Sequence, residues 1–253
     1  AAKAVLLATF AVLLATFAVL LAAFAVELAA KAVELATFAV LLATFAVLLA
    51  ALAVEFAAKA VLLATFAVLF AAFAVELAAK AVEYVAPGDV IAVGGGSTTY
   101  AFAQCLLESK RCEGVTILTN SIPVAQLAHS ADASGSVEVI MTGGAVTRSN
   151  SLVGPIADKV IRGLRVNTLF TGAHSVSLPR GFLTPNSLEA ATNSALISIA
   201  DLCIALVDHT KWDSTSLSLF ADFSQIDTVI TDSALSGLRR KQTRSLVKHL
   251  VTV

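Results

Sequence analysis

Residues 1–84 contain no glycine, proline, asparagine, aspartate, cysteine or histidine. Without Gly, Pro, Asn or Asp the stretch offers nothing that favours a turn. Cysteine is scarce in the whole chain: Cys105, Cys112 and Cys203 form no C-x-x-C pair and stand beside no His-rich cluster. An odd count without metal spacing excludes a disulfide framework, gives no metal site and fits a reducing cytoplasm, with the thiols as small core fillers. Excess charge of one sign is also lacking, and a net charge of -1 gives no general pull toward nucleic acid or anionic membrane. Nor is there a charged n-region with a polar cleavage region, so no signal peptide is expected.

What the first 84 residues do contain is a seven-residue repeat in twelve copies, from AAKAVLL to AAKAVEY, with four Lys and five Glu among Ala, Val, Leu, Phe and Thr. A heptad normally marks a coiled coil with two apolar positions. Here nearly every position is apolar, and one continuous helix would run roughly 126 Å. Residues 4–26 and 35–54 are uncharged runs long enough to cross a bilayer, and 60–75 falls short. Basic flanks of consistent sign, an aromatic belt and a polar loop are all missing, so no membrane partner is expected. So strict a repeat in so small an alphabet reads as an all-helical design or a misassigned segment. The division is placed at 1–78 and 79–253.

The second part carries 13 basic and 13 acidic side chains and all the Gly, Pro, Cys, His, Asn and Asp. Its texture is α/β. Apolar runs at 90–93, 115–118, 137–141, 168–171, 202–207, 227–230 and 250–253 read as strands. Segments at 99–108, 122–130, 155–164, 187–200 and 235–248 read as helices. Strands alternating with helices imply a parallel sheet with right-handed crossovers. Ligands bind beyond the carboxyl ends of such strands.

The stretch VIAVGGGSTTY, residues 90–100, is the strongest local signal. A strand, a glycine turn and a helix start together make an anion site, because backbone N–H groups and the positive dipole end face outward. Gly95 and Gly96 let a ligand approach, and Ser97, Thr98 and Thr99 add hydroxyl donors. The plain alternative is a tight turn with Ser97 as N-cap.

Other candidates follow strands. Asn120 could bond a sugar hydroxyl or hold its loop, and Gly143 and Gly144 could admit a ligand or only turn the chain. Lys211 is a point partner for phosphate, against the alternative of a solvent-facing loop lysine. Glu189 could accept from a sugar hydroxyl or merely favour its helix start. His174 and His209 read as polar loop residues, since neither has a second ligand at metal spacing. Arg239, Arg240, Lys241, Arg244 and Lys248 read as a solvated helix face.

The ordered motifs GDVIAVGGGSTT, TILTNS, VIMTGGAV, SLVGP, LFTGAHSV, GFLT, NSLEAATNSAL, VDHTKW and IDTVITD resemble the C-terminal effector domain of DeoR-type transcriptional regulators, from about residue 79 to 253. The resemblance implies a Rossmann-like parallel sheet of the ribose-5-phosphate isomerase, glucosamine-6-phosphate deaminase and CoA transferase type. It implies a phosphorylated sugar or polyol held by Gly95, Gly96, Ser97, Thr98 and Thr99, with Asn120, Gly144, Glu189 and Lys211 lining the same pocket. No cofactor, an oligomeric cytoplasmic regulator, and operator DNA bound through an N-terminal winged helix-turn-helix, as in a repressor, are further implications. Two departures stand out. The heptad repeat occupies the place of the winged helix, with no polar recognition helix, no Arg cluster and no wing. Asn193 stands where the family often has Lys. The alternative on the same fold is an isomerase or deaminase, but the loop after Thr171 reads TGAHSVS, without the carboxylate a proton shuttle needs.

Overall fold

The computed structural model describes residues 2–29, 36–131 and 135–253. The chain forms two compact units, Ala1–Ala71 and Ala72–Val253.

The first unit is helical: α1 spans Ala2–Ala29, and α2, which begins here, spans Ala36–Val82. The passage of the repeat through residues 30–35 lies outside the described residues. The heptad has a structural result. Ala11, Ala18 and Ala25 of α1 and Ala46, Ala53 and Ala60 of α2 are buried, each seven residues from the next. Small side chains at heptad spacing make a seam along which helices approach closely. The bulky residues turn outward, with Leu6 at 72% and Val12 at 66% exposure. Phe10 meets Phe56 edge-on at 5.9 Å. Among the described residues, Val5–Val26 and Ala43–Thr65 are long and apolar enough to cross a membrane, by length and composition.

The second unit takes in the last turns of α2 and then alternates strands and helices. In order these are β1 Val90–Val93, α3 Ser97–Leu107, β2 Thr116–Thr119, α4 Ile122–Ala131, β3 Glu138–Met141, β4 Ala145–Val146, β5 Leu152–Val153 and α5 Pro155–Ile161. There follow β6 Val166–Thr171, β7 Ser175–Ser177, β8 Gly181–Thr184, α6 Ser187–Ser198, β9 Ala200–Leu206, β10 Ser218–Ala221, β11 Thr228–Thr231, α7 Gly237–Arg244 and β12 His249–Thr252. Seven strands make one sheet, in the order β12-β11-β9-β6-β1-β2-β3, with every neighbour parallel. The fold is α/β, as the alternation predicts.

Both faces of the sheet are covered, which is why its strands read as continuous apolar runs. Successive side chains point to opposite faces. Ala92, Leu118, Leu169 and Ala205 pack with α5 and α6 in one core. Ile91, Val93, Ile117, Phe170 and Ile204 pack in the other, against α3, α4 and Leu77, Ala78, Ala81 and Val82 of α2. Residue 78, the boundary drawn from sequence, thus lies on a buried face of α2.

Three observed helices are shorter than the sequence pattern suggests, and the one expected over 155–164 is α5, which stops at Ile161. The helix expected over 235–248 is α7 alone, because Ser236 caps it, accepting from the Arg239 N–H, and Ser245 ends it. The helix expected to reach 200 stops at Ser198, since Ala200 already begins β9. Two further sheets have no counterpart in the sequence reading: the antiparallel set β10-β8-β7 and the pair β4-β5.

Candidate functional site

A cavity of about 570 Å³ opens beyond the carboxyl ends of the parallel strands. Its wall includes Gly95, Gly96, Ser97, Thr98 and Thr99 after β1, Gly172, Ala173 and His174 after β6, and Lys211 after β9. Arg148, Ser149 and Ser151 enter from the loop between β4 and β5. Thr184, Pro185, Asn186, Glu189 and Asn193 enter from the start of α6. The site is therefore assembled at strand ends, where an open parallel sheet leaves room.

The glycine turn is built for close approach. Gly94 donates its N–H to the Phe170 carbonyl at 2.9 Å, tying the turn to the neighbouring strand. The N-cap of α3 is Gly96, at φ 143 and ψ 164, a backbone state that side chains resist. Ser97 is the first helical residue, so the alternative with Ser97 as N-cap is not what forms. No side chain caps α3. Its first N–H groups, which lack intrahelical acceptors, remain at the mouth of the cavity with the positive end of the dipole. Thr99 is buried, and its hydroxyl donates to the Gly96 carbonyl at 3.0 Å, so it braces the turn.

Lys211 closes a 3-10 turn, His209–Lys211, whose start is fixed by Asp208: its carboxylate accepts from the Thr210 N–H at 2.9 Å and from the Thr210 hydroxyl. The backbone N–H of His209 donates to Asp232 Oδ2 at 2.6 Å, and its Nδ1 lies 2.8 Å from Asp232 Oδ1. Asp232 is fully buried. His209 itself stays off the cavity wall, with Phe73 edge-on to its ring at 5.2 Å. Lys211 has no carboxylate partner among the described residues.

Among the described residues Glu189 is the one carboxylate on the wall, and each of its oxygens accepts a hydrogen bond. Ser149 donates to Oε1 at 2.5 Å and Thr184 to Oε2 at 3.0 Å. Asn186 caps α6 by accepting from the N–H groups of Leu188 and Glu189. Of the two helix starts at the cavity, that of α6 is closed by a side chain and that of α3 is open.

Asn120 and Gly144 do not reach the wall. Asn120 is 1% exposed, and its side-chain Nδ2 donates to the Leu152 carbonyl at 3.3 Å while its backbone carbonyl accepts from the Leu152 N–H at 2.7 Å. It holds β5 and, through the bridge of Ser121 with Ser151, the base of the Arg148 loop. Gly144 has φ 115, and a Cβ there would lie 2.6 Å from the Val153 carbonyl oxygen. Its role is packing of the β4–β5 hairpin. His174, read from sequence as a polar loop residue, does line the cavity, as does Asn193. Arg148 and Ser149 carry no local motif beyond their place between Gly144 and SLVGP, and the sequence reading passes over them. In the basic cluster, Arg239 pairs with Asp213 and Lys248 with Asp227. Among the described residues no three His, Cys, Asp or Glu side chains gather as a metal site.

The structure is thus an open parallel α/β sheet with a polar cavity at the carboxyl ends of its strands, and Arg148 and Lys211 both reach that cavity's wall. Residues 75–233 match the family model of the DeoR C terminal sensor domain, and the chain belongs to that family. Its curated relatives include the HTH-type transcriptional regulator YgbI of Escherichia coli, 34% identical over 164 residues, covering 64% of this chain and 60% of YgbI. The HTH-type transcriptional regulator GlpR of Haloferax volcanii is 31% identical over 159 residues, covering 62% of this chain and 60% of GlpR. The transcriptional repressor AccR of Agrobacterium fabrum is 27% identical over 148 residues, covering 58% and 55%. The matched region thus spans little more than half the length of these relatives. Similar solved structures include ribose 5 phosphate isomerase A from Neisseria gonorrhoeae, at 20% identity and TM-score 0.41 over 56% of this chain and 53% of that one. Another is eIF2B beta from Chaetomium thermophilum, at 18% identity and TM-score 0.42 over 72% and 54%.

Proposed function

We propose that residues 79–253 are the effector domain of a transcriptional repressor and bind a phosphorylated sugar or polyol in the cavity. The observation that carries this is the open N-terminus of α3 sharing one wall with Lys211, an ammonium with no carboxylate partner among the described residues. Backbone N–H groups of the Gly95–Thr99 turn and the hydroxyls of Ser97 and Thr98 take the phosphate, and Lys211 supplies a compact positive charge. Glu189 and Asn193 face the sugar hydroxyls. Asn120 and Gly144 serve the site by holding the β4–β5 hairpin. No cofactor enters this reading.

The domain acts by population shift: the ligand stabilises one arrangement of a homo-oligomer and so changes the affinity of a DNA-binding module for its operator. Operator recognition is carried over from the relatives, all named as transcriptional regulators. A cytoplasmic setting without a membrane partner goes with that role. Fractionation of the full chain tests it, since recovery with lipid would overturn it.

Calorimetry with a panel of sugar phosphates is the direct test. Micromolar binding of at least one, lost in the Ser97→Ala/Lys211→Ala double variant, is the expected result. No binding across the panel, or binding untouched by the double variant, overturns it. The isomerase alternative needs a base placed at the substrate, and His174, on the cavity wall in the loop after β6, is the group that would serve. Turnover of ribose 5-phosphate or glucosamine 6-phosphate, abolished by His174→Ala, would establish catalysis instead.

A further inference from the structure

Two cations reach the cavity wall, Arg148 and Lys211, and neither has a carboxylate partner among the described residues. A phosphate monoester carries about -1.5 to -2 charge at neutral pH. Lys211 alone leaves roughly half of that unmatched inside a partly dehydrated cavity. Glu189, the one acid on the wall among the described residues, accepts from Ser149 and Thr184 and forms no ion pair with either cation.

The loop that carries Arg148 is anchored at both sides of the ligand space. At one side Ser151 lies against the glycine turn, so close that a Cβ on Gly95 would come within 2.4 Å of its hydroxyl oxygen. At the other, Ser149 is bonded to Glu189 at 2.5 Å. Within the loop Thr147 donates its N–H to the Ser151 carbonyl at 2.9 Å, Ser151 returns its N–H to the Thr147 hydroxyl at 3.2 Å, and Asn150 takes φ 57. A tight turn of this kind presents a side chain from a fixed base. A guanidinium is also suited to bidentate pairing with phosphate oxygens.

We propose that Arg148 is the second cation of the phosphate site and the residue that makes it select a phosphate ester over the unphosphorylated sugar. This rests on the reading of the cavity given above. It adds a specificity residue that lies outside the glycine turn and Lys211.

The test uses the full chain, titrated calorimetrically with inorganic phosphate, ribose 5-phosphate and ribose. Arg148→Ala should weaken both phosphate probes at least tenfold, and Arg148→Lys should recover part of that loss. The thermal midpoint without ligand should stay unchanged, since Arg148 is exposed. Because Arg148 and Lys211 would hold one group, the double variant should lose less than the sum of the single losses. If the wild type binds neither phosphate probe, the reading of the cavity falls and this inference with it. If the wild type binds and Arg148→Ala binds within twofold of it, the assignment of Arg148 alone is overturned.

Discussion

The hydroxyl oxygen of Ser151 occupies the space that a side chain on Gly95 would need, 2.4 Å from where its Cβ would stand. The glycine turn and the Arg148 loop are therefore fitted to each other. Gly95→Ala must push Ser151 away and should lower phosphate affinity at least tenfold while the fold persists. Adding Ser151→Ala should restore much of the loss, because the Ser151 Cβ itself would be at an ordinary 3.6 Å. Calorimetry on the single and double variants checks the pair.

Glu189 ties three segments together, the Arg148 loop, the end of β8 and the start of α6. Glu189→Ala strands the hydroxyls of Ser149 and Thr184, and each lost bond to a charged acceptor is worth about 1.5–3 kcal/mol at most, less where water replaces it. A lower thermal midpoint is expected for Glu189→Ala, with a smaller drop for Glu189→Gln, which keeps one acceptor oxygen. An unchanged midpoint in both would mean that the bonds contribute nothing.

Phe102 of α3 stacks on Phe170 of β6 with ring centroids 4.0 Å apart, and both are fully buried. Phe102→Ala should cost about 3–5 kcal/mol in urea unfolding. Because Phe102 belongs to the helix that begins at the glycine turn, ligand affinity should fall with stability.

Asp227 provides a pH signature. Burial alone would raise its pKa, but the Lys248 ammonium and the Cys203 N–H outweigh burial and hold it below the usual carboxylate range. A depressed folded-state pKa contributes stability that is fully present above the unfolded value of about 3.9 and is lost as pH falls through the folded one. The stability gap between wild type and Asp227→Asn should therefore be constant near neutrality and close in acid. Urea melts at a series of pH values measure it, and a gap that widens below pH 4 would contradict the sign.

Burial pushes the Cys203 thiol up to about 12, and its side chain is 4% exposed. Little thiolate exists at neutral pH, and the thiolate is the nucleophile. Iodoacetamide should leave Cys203 unmodified in the native chain and label it fully in denaturant, as read by peptide mass spectrometry.

The parallel sheet was legible because strands buried on both faces are largely apolar, and segments such as VIAV and LCIAL show this without any partner in view. The glycine turn was legible for the same local reason, since strand, glycines and helix start are contiguous. The small antiparallel sheet was not. β7 reads Ser-Val-Ser, and β8 begins at Gly181, where φ 128 and a backbone neighbour 2.2 Å from a would-be Cβ reflect the approach of Ala221, forty residues away in sequence. Arg148 was invisible for a related reason: a polar residue in a hairpin loop has no period, and only the fold decides which way the loop faces. Asn120 shows the converse, a polar residue after a strand whose side chain turned out to brace the hairpin.

His209 lies two positions before Lys211 on one short turn, its imidazole bonded to buried Asp232 on one side and met by the Phe73 ring on the other. Such a turn is clamped at its root while its tip faces the cavity. An anion that draws the Lys211 ammonium inward must either bend a long flexible side chain, leaving everything behind it at rest, or tilt the whole clamp and carry an aromatic ring of α2 along with it. The first outcome confines the event to the cavity; the second makes the last turns of α2 feel whether the cavity is full.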